Sequence, residues 1–373
     1  MAHERRGAAL EGLGSSFLSQ GCRTIPPAVK RGLSVSALLL FAVVSACGQP
    51  ALKSAATTSP SPSPTATAPP TESASAAATG PQVMTCKLPV VTDNDAGWVT
   101  FPGGSYQADS KANVSLPHGS SFPLSKSYDK AVERWLPVPR DQISPDGKHY
   151  AYADLPAVDG SPVHVADSST GAARAFNPGT PPPDSSWVAV DYEAEGVYLT
   201  AQPNGPAGLV GLWLLDPING TVKQIDATHS WQYISAGGAW GTSDALTGHG
   251  PGPGSRLVRM DLKSGAIVSW YKRTDVEFTV AGADGSGHPI LQITKTSAPQ
   301  LIVITAANAA AILFAAPGSA IPSLSNIIHP VTDTHGIWFG DTGGSISLYT
   351  PATGLKKMAQ VGSGDVTAAG GCH

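Results

Sequence analysis

The stretch that decides the fold is HPVTDTHGIWFGDTGGSISLYTPATGLKKM, His329–Met358. It holds short runs of alternating character, VTD, IWFGD, SISLYT and LKKM. They are separated by the small polar breaks Thr334–Gly336, Thr342–Gly344 and Pro351–Gly354. Alternation with a period of two puts one set of side chains on each face of a strand, and Gly, Asp and Thr between such runs make tight turns. The stretch therefore reads as a four-stranded antiparallel meander.

Working outward, the first half of this unit recurs along the chain. VVTDNDAGWVTF starts at Val90, ISPDGKHYAYA at Ile143, VAVDYEAEGVYLTA at Val188, YISAGGAWGTS at Tyr233, FTVAGADGSGHPILQI at Phe278 and VTDTHGIWFGD at Val331. Successive starts are 53, 45, 45, 45 and 53 residues apart. The second half recurs too, with its turn at Asp167, Asp216, Asp261, Ala306 and Thr350. Ala306–Ala316 is alanine-rich, but its flanks LIVI and ILF favour a hairpin over a helix.

A period near 45 with four short strands per unit is the signature of a β-propeller blade, because one small sheet cannot cover its own faces and must stack on neighbours. The expected fold is all-β, with six blades of four antiparallel strands. The insertion Lys111–Arg140 leaves five or seven open. Trp98, Tyr150, Tyr198, Trp240 and Trp338 are the expected fillers between blades.

Composition agrees. Only 13% of residues are charged, while 41 Gly and 33 Pro supply turns. The formal charge is −4. Without residues 1–46, 18 basic residues face 25 acidic ones, which argues against a nucleic-acid partner. Of four cysteines, Cys86 and Cys372 bracket the repeats. They read as a disulfide clamping the ring in an oxidising compartment, two unrelated thiols being the alternative. DVTAAGGCH, Asp365–His373, looks like the start of another inner strand that Met84–Leu88 would complete.

Residues 1–46 read as a signal region: Lys30-Arg31 precede the apolar run Leu33–Ala46, too short to span a membrane. Translation starting near Val29 would make residues 1–28 an artefact. Val44-Ser45-Ala46-Cys47 resembles a bacterial lipobox. That resemblance implies cleavage before Cys47, lipidation of its thiol and anchoring at the outer face of the cytoplasmic membrane, in the periplasm or at the cell surface. An ordinary cleaved signal or an uncleaved anchor is the alternative. Residues 47–82 then form a Ser/Thr/Pro/Ala-rich disordered tether spanning roughly 35 Å, and residues 83–373 the propeller.

Two segments resemble known propeller repeats. The Ser144–Lys148 pentapeptide in ISPDGKHYAYADL is similar to the TolB-type, WD40-like repeat. GIWFGDTGGSISLYTPATG, Gly336–Gly354, resembles streptogramin-lyase-type repeats. Each covers about one blade; they imply a propeller and carry no catalytic residue over.

Catalytic motifs are missing: no Gly-x-Ser-x-Gly, His-Glu-x-x-His, Cys-x-x-Cys or phosphate loop occurs. Asp93-Asn94-Asp95 has a calcium-loop look, but Gly97 stands one place early and no acidic twelfth residue follows. No cofactor and no metal is expected. His149, His288 and His335 fall just after the inner turn of three repeats. With Asp93 and Glu193 they form the candidate rim of a binding site, a set of unrelated surface turns being the plainer reading. Two functions follow. The first is a monomeric, non-catalytic binding or scaffold module for a protein or cell-wall glycan. The second is an extracytoplasmic lyase or hydrolase acting on a glycan or cyclic peptide, which needs His and carboxylates converging at the channel mouth.

Overall fold

The computed structural model describes residues 84–115, 126–154, 162–203, 210–243, 254–293, 300–315 and 330–373. The chain divides into Met1–Ala76 and Ala77–His373. The signal region, Cys47 and the tether lie outside the described residues, as do His118, His249 and His329.

Among the described residues there is no α-helix, and strands follow one another as antiparallel meanders. β1 (Cys86–Thr92), β2 (Ala96–Phe101) and β3 (Ser105–Ala108) form the first. A separate hairpin, β4 (Ser127–Asp129) and β5 (Arg134–Leu136), occupies the predicted insertion. Next come β6 (His149–Ala153), β7 (Val163–Asp167) and β8 (Ala173–Phe176), with Ile143 bridging to Tyr150 at the inner edge. β9 (Ser185–Glu193), β10 (Gly196–Pro203), β11 (Val210–Leu215) and β12 (Val222–Asp226) form a full four-stranded sheet. The same order holds for β13 (Ser230–Ser235), β14 (Gly238–Ser243), β15 (Arg256–Asp261) and β16 (Ile267–Lys272). One parallel contact, Gly211 with Ser230, links these two sheets. β17 (Phe278–Ala283), β18 (Pro289–Ile293), β19 (Gln300–Ala306) and β20 (Ala309–Ala315) follow. The opening stretch becomes β21 (Val331–Asp333), β22 (Gly336–Gly340), β23 (Ser345–Thr350) and β24 (Gly354–Gln360), and β25 (Val366–Ala368) ends the chain.

Sheet order corrects the phase of the first repeat. VVTDNDAGWVTF forms β1 and β2, but these are the second and third strands of the order β25-β1-β2-β3. The inner strand comes from the other end of the chain. Val90 pairs with Ala368 and Thr92 with Val366. Beyond β25, Lys87 and His373 exchange two backbone hydrogen bonds of 2.9 Å, and Ala369 donates to the Pro89 carbonyl at 2.8 Å. Cys86 and Cys372 form a disulfide at the same junction, their Cα atoms 5.7 Å apart. Asp93, read as a rim candidate, works here: its Oδ2 accepts the Asp365 N–H at 2.8 Å, tying the β1–β2 turn to the closing segment.

Contacts between neighbouring sheets run from one inner edge to the next. Gln142 Nε2 donates to Ala189 O, Val280 N to Gln232 Oε1, and Thr332 Oγ1 to Ala283 O. Cys372 N donates to Asp333 Oδ2, and Tyr128 N to Ala369 O. Inner strands β9 and β13 lie side by side, as do β13 and β17. Meanders stacked through their inner edges, with the two chain ends sharing one sheet, make the fold a β-propeller.

Between sheets, Trp338 is fully buried and stacks on Phe101 at 5.6 Å, joining the first and last meanders together with Leu88, Val90 and Ile346. Its indole N–H donates to Asp333 Oδ2 at 2.8 Å, so the buried donor is satisfied. Tyr150, Tyr198 and Trp240 are buried as expected, whereas Trp98 is only half-buried. Gly336 explains its own identity: its φ is +143°, and an added Cβ would lie 2.2 Å from the Tyr349 carbonyl oxygen.

The recurrent outer turn has one local mechanism. Oδ1 of Asp167, Asp216 and Asp261 accepts backbone N–H groups two or three residues on: Ser169 and Thr170, Ile218, and Ser264. The same residues' carbonyls accept the N–H of Gly171, Gly220 and Gly265. Thr350 Oγ1 does the equivalent for Thr353. The alanine-rich segment is the β19–β20 hairpin. In the Ser144–Lys148 pentapeptide, Ser144 Oγ donates to Asp146 Oδ1 at 2.7 Å and Gly147 N to Ser144 O at 2.8 Å. The Ser144 hydroxyl and then the Lys148 N–H and ammonium, all on the Asp146 carboxylate, lower its pKa to about 2, and with the Gly147–Ser144 bond they account for the motif as a turn.

Candidate binding mouth

Side chains from several inner edges surround a cavity of about 380 Å³. Asp141 arrives on the short turn before Ile143, Asp191 and Glu193 on β9, Tyr233 on β13 and Asp284 at the β17–β18 turn. Alternation along β9 puts Asp191 and Glu193 on one face. Arg140 is the cationic residue of the lining.

Asp191 is 7% exposed. One of its oxygens accepts the Tyr192 N–H at 2.8 Å. Burial pushes its carboxyl well above the usual carboxylate range, and the charges of Asp141 and Glu193 push it further. Burial likewise raises Glu193, helped by Glu195 and Asp141. Tyr233 is raised by the Asp141 charge, then by burial and by Asp191, and its hydroxyl donates to Asp141 Oδ1 at 3.5 Å. Burial first, and then the like charges around the cavity, make Asp191 and Glu193 hold their protons to higher pH than isolated carboxylates do.

Two of the sequence-predicted rim residues connect to this cavity. Glu193 lines it directly. His288 reaches it through Asp284, whose Oδ2 lies 3.0 Å from the imidazole Nδ1. His335 is held in its own turn, its backbone N–H on Asp333 Oδ1 at 2.7 Å and its ring 3.4 Å from the same carboxylate. His149 is exposed at the start of β6, its backbone N–H on Ser144 Oγ. Asp93 belongs to ring closure, as described. In the Asp93–Asp95 turn, Thr92 Oγ1 accepts the N–H groups of Asn94 and Asp95. No group of three or more His, Cys, Asp or Glu with metal-holding geometry occurs among the described residues.

Asp141, Asp191 and Tyr233 were missed from the sequence. The signal for Asp191 was present: a charged residue inside VAVDYE, at a position the alternation assigns to an inner strand.

No family model matches the sequence, and no curated protein matches it. Among solved structures, apo AztD from Citrobacter koseri is similar at 13% identity and TM-score 0.41, over 76% of this chain and 98% of that one. A second Citrobacter koseri AztD structure gives 12% and 0.39, over 78% and 100%. A prolyl endopeptidase structure gives 12% and 0.35; the chain matches over 77% of its own length and spans about half, 51%, of that protein. Because all these TM-scores lie below 0.5, the fold assignment rests on the strand pairing above.

Proposed function

We propose that the chain is a lipid-anchored, extracytoplasmic binding module whose propeller mouth takes up a cationic group presented by a partner protein. The observation that carries this reading is the electrostatic coupling of Asp141, Asp191 and Glu193 around one cavity. A carboxylate cluster that raises its own proton affinity is stabilised by any cation that replaces the protons. A space of about 380 Å³ suits a lysine- or arginine-sized group and lies at the small end for organic ligands. The lipobox-like Val44–Cys47 supports attachment to the membrane through Cys47.

The test is site-specific photo-cross-linking of the full chain in its own membranes. A photo-reactive residue replacing Arg140 at the mouth gives discrete protein adducts whose cross-linked peptides contain Lys or Arg. The same residue at Ile218, 80% exposed on an outer turn, does not. Equal yields from both positions sink the reading.

One observation favours a second reading, a glycan hydrolase. Burial and the neighbouring Asp141 and Glu193 charges raise the Asp191 carboxyl well above the usual carboxylate range, the direction a general acid requires. Release of reducing ends from wall glycan that disappears in Asp191→Asn supports this alternative; product formation unchanged by the variant removes it.

A further inference from the structure

A second cavity lies away from the mouth, where the β1–β3 sheet meets the β4–β5 hairpin, with a volume of about 430 Å³. Its wall is aromatic. Trp98 and Tyr128 meet edge to face at 4.6 Å, and Trp135 abuts both, at 5.8 and 5.6 Å. The His373 ring packs on Tyr128 at 5.5 Å without lining the cavity. Trp135 is 1% exposed and acts as the support, while Trp98 and Tyr128 remain half-buried and face the cavity.

One carboxylate fixes the two indoles. Asp109 Oδ2 accepts Trp98 Nε1–H at 2.9 Å and Trp135 Nε1–H at 3.0 Å, and Oδ1 accepts the Lys111 N–H at 2.9 Å. These bonds outweigh the opposing effect of burial and hold Asp109 below the usual carboxylate range. The rings are thus immobilised before any ligand arrives, so binding costs little further side-chain entropy. Edge-to-face packing keeps the ring faces from covering one another.

The rim is polar and carries more positive than negative charge. Lys87, Lys111 and Arg134 surround the opening against Glu133 and the Asp109 carboxylate, with Gln107 as a neutral donor and acceptor; Arg134 also donates to the Ser169 carbonyl. Fixed aromatic faces accept the weakly positive C–H face of a pyranose ring. Hydroxyls suit Gln107 and Glu133, and an acidic substituent suits the lysines and Arg134. We infer that this cavity is a binding site for an acidic saccharide, independent of the cation-binding mouth. A cationic ligand is disfavoured by the three basic side chains, and an apolar one by the polar rim.

The test uses the detergent-solubilised full chain, titrated with trigalacturonic acid and with neutral maltotriose, read by tryptophan fluorescence and calorimetry. Trigalacturonic acid is expected to bind saturably and at least about tenfold tighter than maltotriose. Tyr128→Ala and Lys111→Glu should each weaken it about tenfold or more. Lys111 is exposed, so its variant keeps the fold and decides the matter if Tyr128→Ala does not fold. Asp191→Asn, at the mouth, should leave this binding unchanged. Failure of trigalacturonic acid to bind, equal affinity for both saccharides, or binding indifferent to Lys111→Glu overturns the proposal. Loss of binding in Asp191→Asn would place the saccharide at the mouth and overturn it as well.

Discussion

Replacing both Cys86 and Cys372 by serine opens the ring at the junction of its two chain ends. The bridge closes a loop with a sequence separation of 286 residues. Chain entropy alone assigns such a loop about 5–6 kcal/mol at 25 °C, and native bridges deliver about 2–5 kcal/mol. The smaller range is expected here, because the β1–β25 pairing and the Lys87–His373 backbone bonds also hold the ends. Cys86 is a buried member of the cluster containing Trp338 and Cys372 packs against it, so the serines also give up some apolar packing. Urea unfolding should therefore show a loss of about 2–5 kcal/mol. The m value should rise, since the unfolded chain expands once the crosslink is gone. A loss under about 1 kcal/mol with unchanged m would refute the reasoning and leave strand pairing as the whole of the closure.

Three further outcomes follow from particular contacts. Because the Asp191 carboxyl is raised in the folded state, its contribution to stability is fully present below the unfolded carboxylate value and is lost as pH rises through the folded one. Each tenfold of raised proton affinity costs about 1.4 kcal/mol above that window. Asp191→Asn should accordingly be more heat-stable than the parent at neutral pH and should lose part of the pH dependence of melting; a variant melting lower at neutral pH would count against the raised value. Gly340→Ala puts a Cβ 1.9 Å from the Val366 carbonyl oxygen, so it should displace β25 and destabilise by about 2 kcal/mol or more in chemical denaturation; no change would mean β25 is not seated there. Trp338→Phe removes the donor to Asp333 Oδ2, which also takes the Cys372 N–H, and should cost about 1–3 kcal/mol in the same assay.

The repeat was legible because its determinants are local. Asp167, Asp216 and Asp261 bind backbone groups two or three residues away, and their glycines close the same turns. Such contacts leave a fixed spacing in the sequence. The first meander was misphased because VVTDNDAGWVTF looks locally like the inner hairpins of the other repeats; the Asp365–His373 pattern did mark the closing inner strand, which the structure pairs with Val90–Thr92. Asp93 looked like a rim residue for the same reason; its partner is Asp365. The mouth was hidden by distance. Tyr233, on β13, and Asp141, on the short turn before Ile143, stand 92 residues apart and meet only after the ring is built. Histidine spacing was a weak guide, since His288 and His335 are engaged by carboxylates of their own turns.

The binding claim is tested most directly by calorimetric titration of the full chain with trilysine, at mildly acidic pH, in two buffers of different ionisation heat. Saturable binding that weakens with salt and releases protons is expected, because a cation at the mouth returns Asp191 and Glu193 toward ordinary carboxylate behaviour. The release should vanish in a variant carrying both Asp191→Asn and Glu193→Gln. No binding, or binding with the same heat in both buffers and in the variant, would contradict the account.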